Sequence, residues 1–141
     1  MDVTIRSFRD AEKEIRFIRD IVFGEEQNVE REVDWDGKDS QSIQVVATDD
    51  DDNPIGTGRM QPDGKIGRLA VLDSWRGQGT GEKMLQALLE TAEKENFREV
   101  FLHAQAHAIS FYEKCSFNKV GPEFLEAGIP HVKMTRNVYK I

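Results

Sequence analysis

The chain has 141 residues, of which 38% are hydrophobic and 32% charged, and its formal net charge at pH 7 is −7. This length and composition predict one globular domain, spanning residues 1–141, with a hydrophobic core of its own. The acidic balance argues against nucleic acid or an anionic membrane as the main partner. No apolar run approaches the roughly 20 residues that a membrane span needs.

The number of cysteines and the composition of the amino terminus indicate the cellular compartment in which the protein is expected. The first ten residues, MDVTIRSFRD, lack the apolar segment of a signal peptide. The single cysteine, Cys115, excludes an internal disulfide and suits a reducing compartment. We therefore expect a cytoplasmic protein. With one cysteine and three scattered histidines, we expect no metal site.

The first quarter of the chain predicts a strand, a helix and a charged connection. Val3 to Phe8 alternates apolar and polar residues, as a strand does. Asp10 is a plausible cap for the helix that follows and ends near Gly24. Glu25 to Asp39 predicts a short helix and a loop. One face of the first helix is apolar, at Ala11, Ile15, Ile18 and Val22.

Three further strands are predicted before the middle of the chain. They cover Gln41 to Thr48, Ile55 to Met60 and Ile66 to Leu72, and turn residues separate them. The four aspartates at 49–52 could suggest calcium, but the spaced loop with a glycine and a terminal glutamate is absent. A solvated hairpin tip explains them better.

A glycine-rich loop joins the strand at 66–72 to a long amphipathic helix. The loop reads Arg76-Gly77-Gln78-Gly79-Thr80-Gly81, and the helix, predicted to end near Asn96, has apolar residues at helical spacing. Glycines just before a helix keep side chains away from backbone N–H groups that have no intrahelical partner. The pattern predicts a cradle for an anion, most plausibly a phosphate.

Two common phosphate motifs do not fit this loop. A P-loop requires a second glycine five residues after the first, then Lys and a hydroxyl residue, but Glu82 lies five residues after Gly77. A dinucleotide fingerprint requires G-x-G-x-x-G, and Glu82 again occupies the position of the third glycine.

The last third of the chain predicts a strand, a short helix and two closing strands. The strand at Glu99 to Ala104 follows the long helix, and a right-handed crossover should place it parallel to the strand at 66–72. A short helix is predicted from Ala106 to Lys114. The remainder predicts a strand at Phe117 to Gly121, a loop at Pro122 to Pro130 and a strand at His131 to Asn137.

A third loop pattern does fit, namely Arg or Gln, two residues, Gly, one residue, and Gly or Ala. Arg76, Gly79 and Gly81 supply it, and the loop resembles the pyrophosphate loop of the GCN5-related N-acetyltransferase (GNAT) superfamily. The stretch from Ala104 to Phe117 resembles the helix of that superfamily that ends in Phe-Tyr-x-x-x-Gly-Phe.

Shorter motifs resemble the ElaA-like branch of the superfamily. They are Val22-Phe23 with Glu26-Gln27, the Ala104 to His107 segment, and Gly128 to His131 with Met134.

The resemblance implies an α+β GNAT fold. That fold has a mixed, mostly antiparallel sheet of six or seven strands, with helices on both faces. Its central fourth and fifth strands are parallel and splay apart, and acyl-CoA inserts between them.

The resemblance also implies which residues bind acetyl-CoA, the expected co-substrate. Backbone groups of Leu69 and Val71 would pair with the pantetheine amides, and loop N–H groups would hold the pyrophosphate beside Arg76. Thr80 could add a hydroxyl donor, and Gln105 could bond the cofactor or orient substrate. The full expected set is Leu69, Ala70, Val71, Arg76, Gly77, Gln78, Gly79, Thr80, Gly81 and Gln105.

The same resemblance places an acid at Tyr112. A phenol with a pKa of about 10 can donate to a departing thiolate; the alternative is an aromatic that only packs its helix. The strand position at which many members of the superfamily carry a basic carboxylate holds Arg68 and Ala70. Glu26, His107 and His131 remain as candidate bases, and a water chain is an alternative.

Three other side chains near this segment carry expectations. Glu26 and His131 are also candidate substrate contacts. Cys115 is expected to be a small packing residue, since no base or oxyanion arrangement is legible around it. Ser116 replaces the usual glycine, so the end of the short helix is expected to shift.

These expectations combine into a cytoplasmic N-acetyltransferase that moves an acetyl group from acetyl-CoA to a small primary amine. A homodimer is a candidate state, since homodimers are common in the superfamily. One alternative is a noncatalytic module that binds or senses acyl-CoA. Another is an acetyltransferase for protein N-termini or lysines.

Overall fold

The computed structural model describes residues 1–138, which form seven strands and four helices. The strands are β1 (Asp2–Arg6), β2 (Ile43–Thr48), β3 (Pro54–Met60), β4 (Ile66–Val71), β5 (Glu99–Gln105), β6 (Asn118–Glu126) and β7 (Ile129–Asn137). The helices are α1 (Phe8–Arg19), which continues as a π-helical segment over Asp20–Glu26, α2 (Arg31–Asp34), α3 (Thr80–Lys94) and α4 (Ile109–Lys114).

The strands form two antiparallel sheets. One has the order β1-β2-β3-β4 and the other β5-β7-β6. The prediction of one continuous mixed sheet is therefore wrong. Between the described parts of β4 and β5 the only pairing is an isolated parallel bridge from Lys65 to Phe101, at which Phe101 N–H donates to the Gly64 carbonyl at 3.1 Å.

A bulge in β4 gives a physical reason for this parting. Arg68 has a φ of +51°, and the register of β3 against β4 shifts between Thr57 and Arg59. A bulge bends its strand and increases the local twist. Beyond the bridge, β4 and β5 therefore separate instead of forming a parallel ladder.

Helices cover both faces of the four-stranded sheet, as predicted. Alternate residues of β2 point to opposite faces: Val45 and Ala47 lie in one core cluster with the apolar face of α3, whereas Val46 packs with Ala11 and Ile15 of α1. Burying a valine or isoleucine side chain of this kind contributes about 1.5–3 kcal/mol, and burying an alanine methyl contributes less. The predicted apolar face of α1 is confirmed, because Ala11, Ile15, Ile18 and Val22 are all buried.

The start of α1 differs from the prediction. Ser7, not Asp10, is the cap, and its hydroxyl oxygen accepts a hydrogen bond from the N–H of Asp10 at 3.2 Å. Asp10 lies in the first turn instead, where its negative charge still complements the helix dipole.

The prediction of a loop at 122–130 is also wrong, because β6 and β7 form a long hairpin there. Glu126 pairs with Ile129, and the two residues between them, Ala127 and Gly128, have φ values of +51° and +76°. Two successive positive φ values are typical of a tight hairpin turn. Pro122 is tolerated because β6 is an edge strand and its register shifts between Val120 and Phe124.

Candidate active site

The glycine loop forms as predicted between β4 and α3. Gly77 and Gly79 have φ values of +75° and +85°, and Gly79 is the cap at which α3 begins. Both glycines and Gln78 are exposed. The first turn of α3 therefore presents N–H groups without intrahelical partners next to backbone that no side chain covers.

Internal hydrogen bonds hold this loop in shape. The Gln78 amide donates to the Ser74 carbonyl at 3.0 Å, and the Thr80 hydroxyl donates to the Trp75 carbonyl at 3.4 Å. Thr80 is only 1% exposed. Its hydroxyl therefore bonds within the loop, and its expected contact with a ligand stays a prediction. The N–H group of Thr80 stays a predicted ligand donor.

Arg76 points back toward the strands. Its Nε donates to the Val71 carbonyl at 2.9 Å, and its Nη2 pairs with Glu26 at 2.5 Å. A longer contact of 3.4 Å joins it to Asp73. The side chain expected beside a pyrophosphate thus joins the end of β4 to the segment that follows α1. The carboxylate of Glu26, a candidate base, is engaged by a guanidinium.

The side chains of β4 divide between the two faces of the sheet. Leu69 and Val71 pack against the α3 side, whereas Ala70 is buried on the α1 side with Ile18 and Val22. Gln105 is the last residue of β5. Because the Lys65–Phe101 bridge is parallel, the carboxyl ends of β4 and β5, and with them Gln105 and the glycine loop, lie at one end of the molecule.

Tyr112 lies on α4, which packs against the start of α3. The Phe111 ring lies 3.9 Å from where a Cβ on Gly81 would be, and the Tyr112 ring meets Phe111 and Phe117 edge-on, with centroids 5.1 and 5.9 Å away. Burial, with a smaller contribution from Cys115, raises the pKa of Tyr112 to about 12. The phenol stays protonated at neutral pH and is a weaker acid than the sequence-based assignment assumed.

The end of α4 keeps its form despite the serine. Ser116 adopts a φ of +69°, its N–H donates to the Glu113 carbonyl at 3.0 Å, and the Phe117 N–H donates to the Tyr112 carbonyl at 3.0 Å. This pair of bonds is the Schellman motif. The expected shift of the helix end does not occur, because serine takes the conformation usually left to glycine.

Cys115 borders a cavity of about 210 Å³ between α3, α4 and β7. Its carbonyl accepts a hydrogen bond from Arg136 at 2.8 Å. Burial and the nearby Glu82 raise the pKa of the Cys115 thiol, and Arg136 offsets this only in part. A thiol held protonated is a poor nucleophile, which agrees with the expected packing role.

The two histidines singled out from the sequence lie in different surroundings. His107 is exposed on a short turn before α4, at 106–108. His131 is only 8% exposed and pairs with Gln105 across β5 and β7. The structure thus brings His131 and Gln105 together and leaves His107 in solvent.

Sequence reasoning missed two side chains next to His131. Glu126 Oε1 lies 2.9 Å from His103 Nδ1, and Glu126 Oε2 lies 3.6 Å from His131 Nε2. Glu126 escaped notice because its strand was predicted as a loop. His103 could have been found, since it lies two residues before Gln105 and thus on the same face of β5.

Sequence reasoning also missed a buried ionic network under the segment that follows α1. Arg19, 1% exposed, donates to Asp34 at 2.9 Å and to Asp39 at 2.6 Å. Arg59 contacts Asp36 at 2.6 Å and Asp39 at 3.1 Å. These pairs fasten the segment at 34–39 to α1 and β3.

Two further properties of residues 1–138 are relevant to the site. None of their helices is long and apolar enough to cross a membrane. Their His, Cys, Asp and Glu side chains form no group of three or more that could hold a metal ion.

The fold and the loop define a class of protein. A glycine loop at a helix start, directly after the last strand of the four-stranded sheet, is an arrangement expected of a GNAT acetyltransferase. The chain belongs to this family, because the family model described as "Acetyltransferase (GNAT) domain" matches residues 19–138.

Relatives in sequence support the same assignment. The uncharacterized N-acetyltransferase YjcF of Bacillus subtilis (strain 168) is 33% identical over 141 residues, covering 97% of this chain and 100% of YjcF. Protein ElaA of Escherichia coli (strain K12) is 34% identical over 95 residues, covering 67% of this chain and 56% of ElaA. The predicted likeness to ElaA is confirmed, and the likeness to YjcF extends over nearly the whole chain.

Solved structures share the fold. An acyl-CoA N-acyltransferase from Pseudomonas aeruginosa is 30% identical with a TM-score of 0.83, covering 96% of this chain and 98% of that one. Escherichia coli ElaA is 26% identical with a TM-score of 0.85, covering 96% and 99%. An aminoglycoside 6'-N-acetyltransferase complexed with coenzyme A, 14% identical, has a TM-score of 0.79 and covers 100% and 99%; it resembles this chain in fold alone.

Proposed function

We propose that this protein is an acyl-CoA-dependent N-acetyltransferase that acetylates a primary amine of a small molecule, with acetyl-CoA as donor. The observation that carries the proposal is the exposed backbone of Gly77, Gln78 and Gly79 at the start of α3. Such a site suits a diphosphate, because N–H groups and the helix dipole both favour negative charge. An acidic protein needs local donors of this kind to bind an acidic cofactor.

The two parted strands supply the second part of a site for coenzyme A. β4 is paired with β3 along one edge and β5 with β7 along one edge, and within residues 1–138 the pairing found between their other edges is the Lys65–Phe101 bridge. Beyond the bridge these edges offer backbone groups that no strand pairs with and that suit the amides of a pantetheine arm, although Arg76 already bonds the Val71 carbonyl. Leu69, Val71 and Gln105 are the residues proposed to contact it.

The reaction we propose is direct transfer. The neutral amine nitrogen attacks the thioester carbon; a C–N bond forms, the C–S bond breaks, and the sulfur leaves with the bonding electrons. The nitrogen gives one proton to a base. No covalent acyl-enzyme is needed, in keeping with the protonated thiol of Cys115.

Tyr112 is assigned to the leaving sulfur. With a pKa of about 12, the phenol is a weaker acid than a thiol, whose ordinary pKa is about 8.5. Donating a hydrogen bond to the departing thiolate is therefore favoured over complete transfer of the proton. The phenol keeps its proton, and with it this ability, throughout the neutral range.

The two alternative functions, a noncatalytic acyl-CoA-binding module and a protein acetyltransferase, differ from the proposed function in when free thiol is released. A noncatalytic module on the same fold would bind acyl-CoA and release no thiol with any amine. An acetyltransferase of protein N-termini or lysines would release thiol with peptides and not with small amines. The net charge of −7 favours a cationic small acceptor only mildly.

The experiment is a thiol-release assay with acetyl-CoA and a panel of small primary amines, with peptides as a second panel. We expect release that depends on an amine of the first panel. Release with peptides alone would replace the proposed acceptor class. Binding of acetyl-CoA without release in either panel would favour the noncatalytic module.

A further inference from the structure

The open face of the three-stranded sheet carries a cluster of polar side chains. Leu102 and Ala104 of β5 lie in the core beneath α3, so His103 and Gln105 point to the other face. The register pairs Gln105 with His131, and His131 with Phe124 of β6. Glu126, two residues after Phe124, shares that face; we call His103, Phe124, Glu126 and His131 the histidine cluster.

This face is also the α1 face of the four-stranded sheet. Ile66 lies in the core on the α3 side, so Lys65 points to the opposite side and pairs there with Phe101, which shares the face of His103. The histidine cluster and Tyr112 thus lie on opposite faces of the sheets, beside the gap between β4 and β5. If the thioester sulfur lies toward Tyr112, as proposed above, the face of the histidine cluster is the side from which an amine would approach.

The hydrogen bonds of His131 determine its tautomer. Its Nδ1 lies 2.7 Å from the carbonyl oxygen of Ile129. A carbonyl only accepts, so Nδ1 carries a proton, and neutral His131 has its lone pair on Nε2. That nitrogen faces Glu126 Oε2 at 3.6 Å, a contact that becomes attractive only when Nε2 is protonated.

Glu126 is itself held in place. Its second oxygen bonds His103 Nδ1 at 2.9 Å, and the Phe124 ring meets His103 edge-on at 5.0 Å and stacks on His131 at 6.1 Å. Burial raises the pKa of Glu126, but the His103 hydrogen bond and the charges of His103, Lys65 and His131 lower it more, so the net pKa falls.

We propose that His131 is the base that accepts the proton of the attacking amine, and that Glu126, fixed by His103, is a positioning residue that stabilises the resulting imidazolium. This inference rests on the proposed function. In the step, the amine N–H bond breaks, its electron pair stays on the nitrogen of the new amide, and the proton moves to Nε2 of His131. The other charged groups on this face include Glu99 of β5, Lys65, and Lys133, whose ammonium lies over the Phe101 ring.

The test is a pH–rate profile of thiol release for the wild type and four variants. For His131→Gln we expect a loss of turnover of about 100-fold or more, and loss of the fall in rate toward acid. Glu126→Gln should lower turnover several-fold, less than His131→Gln does, and move the acid limb down by about half a pH unit or more, because a carboxylate favours a neighbouring cation. An unchanged profile in this variant would overturn the role of Glu126. Glu123→Gln, exposed on the same strand, is the matched control and should leave the profile unchanged.

The outcomes separate this inference from the proposed function. Turnover within about threefold of wild type and an unchanged acid limb in His131→Gln would overturn the base while leaving the acetyltransferase intact. Loss of that limb in His107→Gln instead would assign the base to His107. A wild-type protein that binds acetyl-CoA and releases no thiol would overturn the proposed function and the base with it.

Discussion

The guanidinium of Arg76 pairs with the carboxylate of Glu26 at 2.5 Å and so joins the glycine loop to the segment that follows α1. The same side chain bonds the Val71 carbonyl at the end of β4. Three parts of the candidate site, namely the end of β4, the glycine loop and the segment that follows α1, therefore meet at one arginine. This pairing engages the Glu26 carboxylate, and we therefore predict that Glu26 is a structural partner and not the base.

Glu26→Gln tests whether Glu26 has a structural role and is not the base. We expect turnover within about threefold of wild type. Unfolding free energy should fall by about 1 kcal/mol at most, because the pair is exposed, with 44% of the Arg76 and 32% of the Glu26 side chain accessible. Thiol release and urea unfolding measure the two effects. A loss of turnover near 100-fold with unchanged stability would restore Glu26 as the base.

Asp39→Ala should destabilise the protein strongly. Asp39 is 5% exposed and compensates both Arg19 and Arg59. Removing one partner of a buried ionic network costs about 3–5 kcal/mol, because charges are left unpaired. The matched control is Asp51→Ala on the exposed 49–53 turn, expected within about 0.5 kcal/mol of wild type. Similar urea midpoints for the two variants would contradict the assigned role of the network.

Ser116→Gly should stabilise the protein by up to about 1 kcal/mol, since glycine adopts a φ of +69° without the penalty that a side chain carries there. Ser110→Gly is the control with the opposite sign. Ser110 lies exposed in the first turn of α4, where replacing serine by glycine costs about 0.5 kcal/mol or less. Destabilisation by Ser116→Gly would mean that the serine side chain makes a contribution that the backbone geometry does not explain.

Tyr112→Phe should lower turnover by about tenfold or more and leave the affinity for acetyl-CoA nearly unchanged. The hydroxyl acts on the departing sulfur, whereas the ring, which phenylalanine keeps, packs against Phe111 and Phe117. Thiol release and calorimetric binding separate the two effects. Unchanged turnover would return Tyr112 to a packing role.

The raised pKa of Tyr112 adds a pH dependence to this prediction. The folded protein holds the phenolic proton up to about pH 12, whereas an unfolded chain releases it near pH 10. The resulting stability is complete below about pH 10 and is lost as the pH rises toward 12. In an ultraviolet titration, the difference between wild type and Tyr112→Phe is the tyrosinate absorbance of Tyr112. We expect this difference to appear only above about pH 11. A difference whose midpoint lies near pH 10 would contradict the raised pKa of Tyr112.

The parts of the site predicted correctly are those that depend on local backbone chemistry. The glycines of the loop show where α3 begins, and helical spacing identifies the buried face of α1. The sequence did not predict the β6–β7 hairpin, because a glycine followed by a proline, here Gly121 and Pro122, usually interrupts a strand. In this protein both residues lie in an edge strand, at a change of register, where they are tolerated.

Contacts between distant residues could not be predicted in the same way. The positions of Arg19, Arg59 and Asp39 in the sequence do not indicate that their side chains form ion pairs. Those ion pairs depend on how α1 packs over β3. The separation of the two sheets likewise depends on a positive φ at Arg68, a conformation that sequence patterns assign to glycine. The histidine cluster became visible only with the register of β5, β7 and β6.

The exposed loop backbone is proposed to bind the diphosphate of coenzyme A. Isothermal titration of acetyl-CoA into wild type, Gly79→Ala and Gly121→Ala tests it most directly, since both glycines have positive φ and open space around them, but only Gly79 lies in the loop. We expect micromolar binding to wild type and Gly121→Ala, and binding weaker by about tenfold or more in Gly79→Ala. No heat with wild type, or equal affinity in all three proteins, would contradict the account.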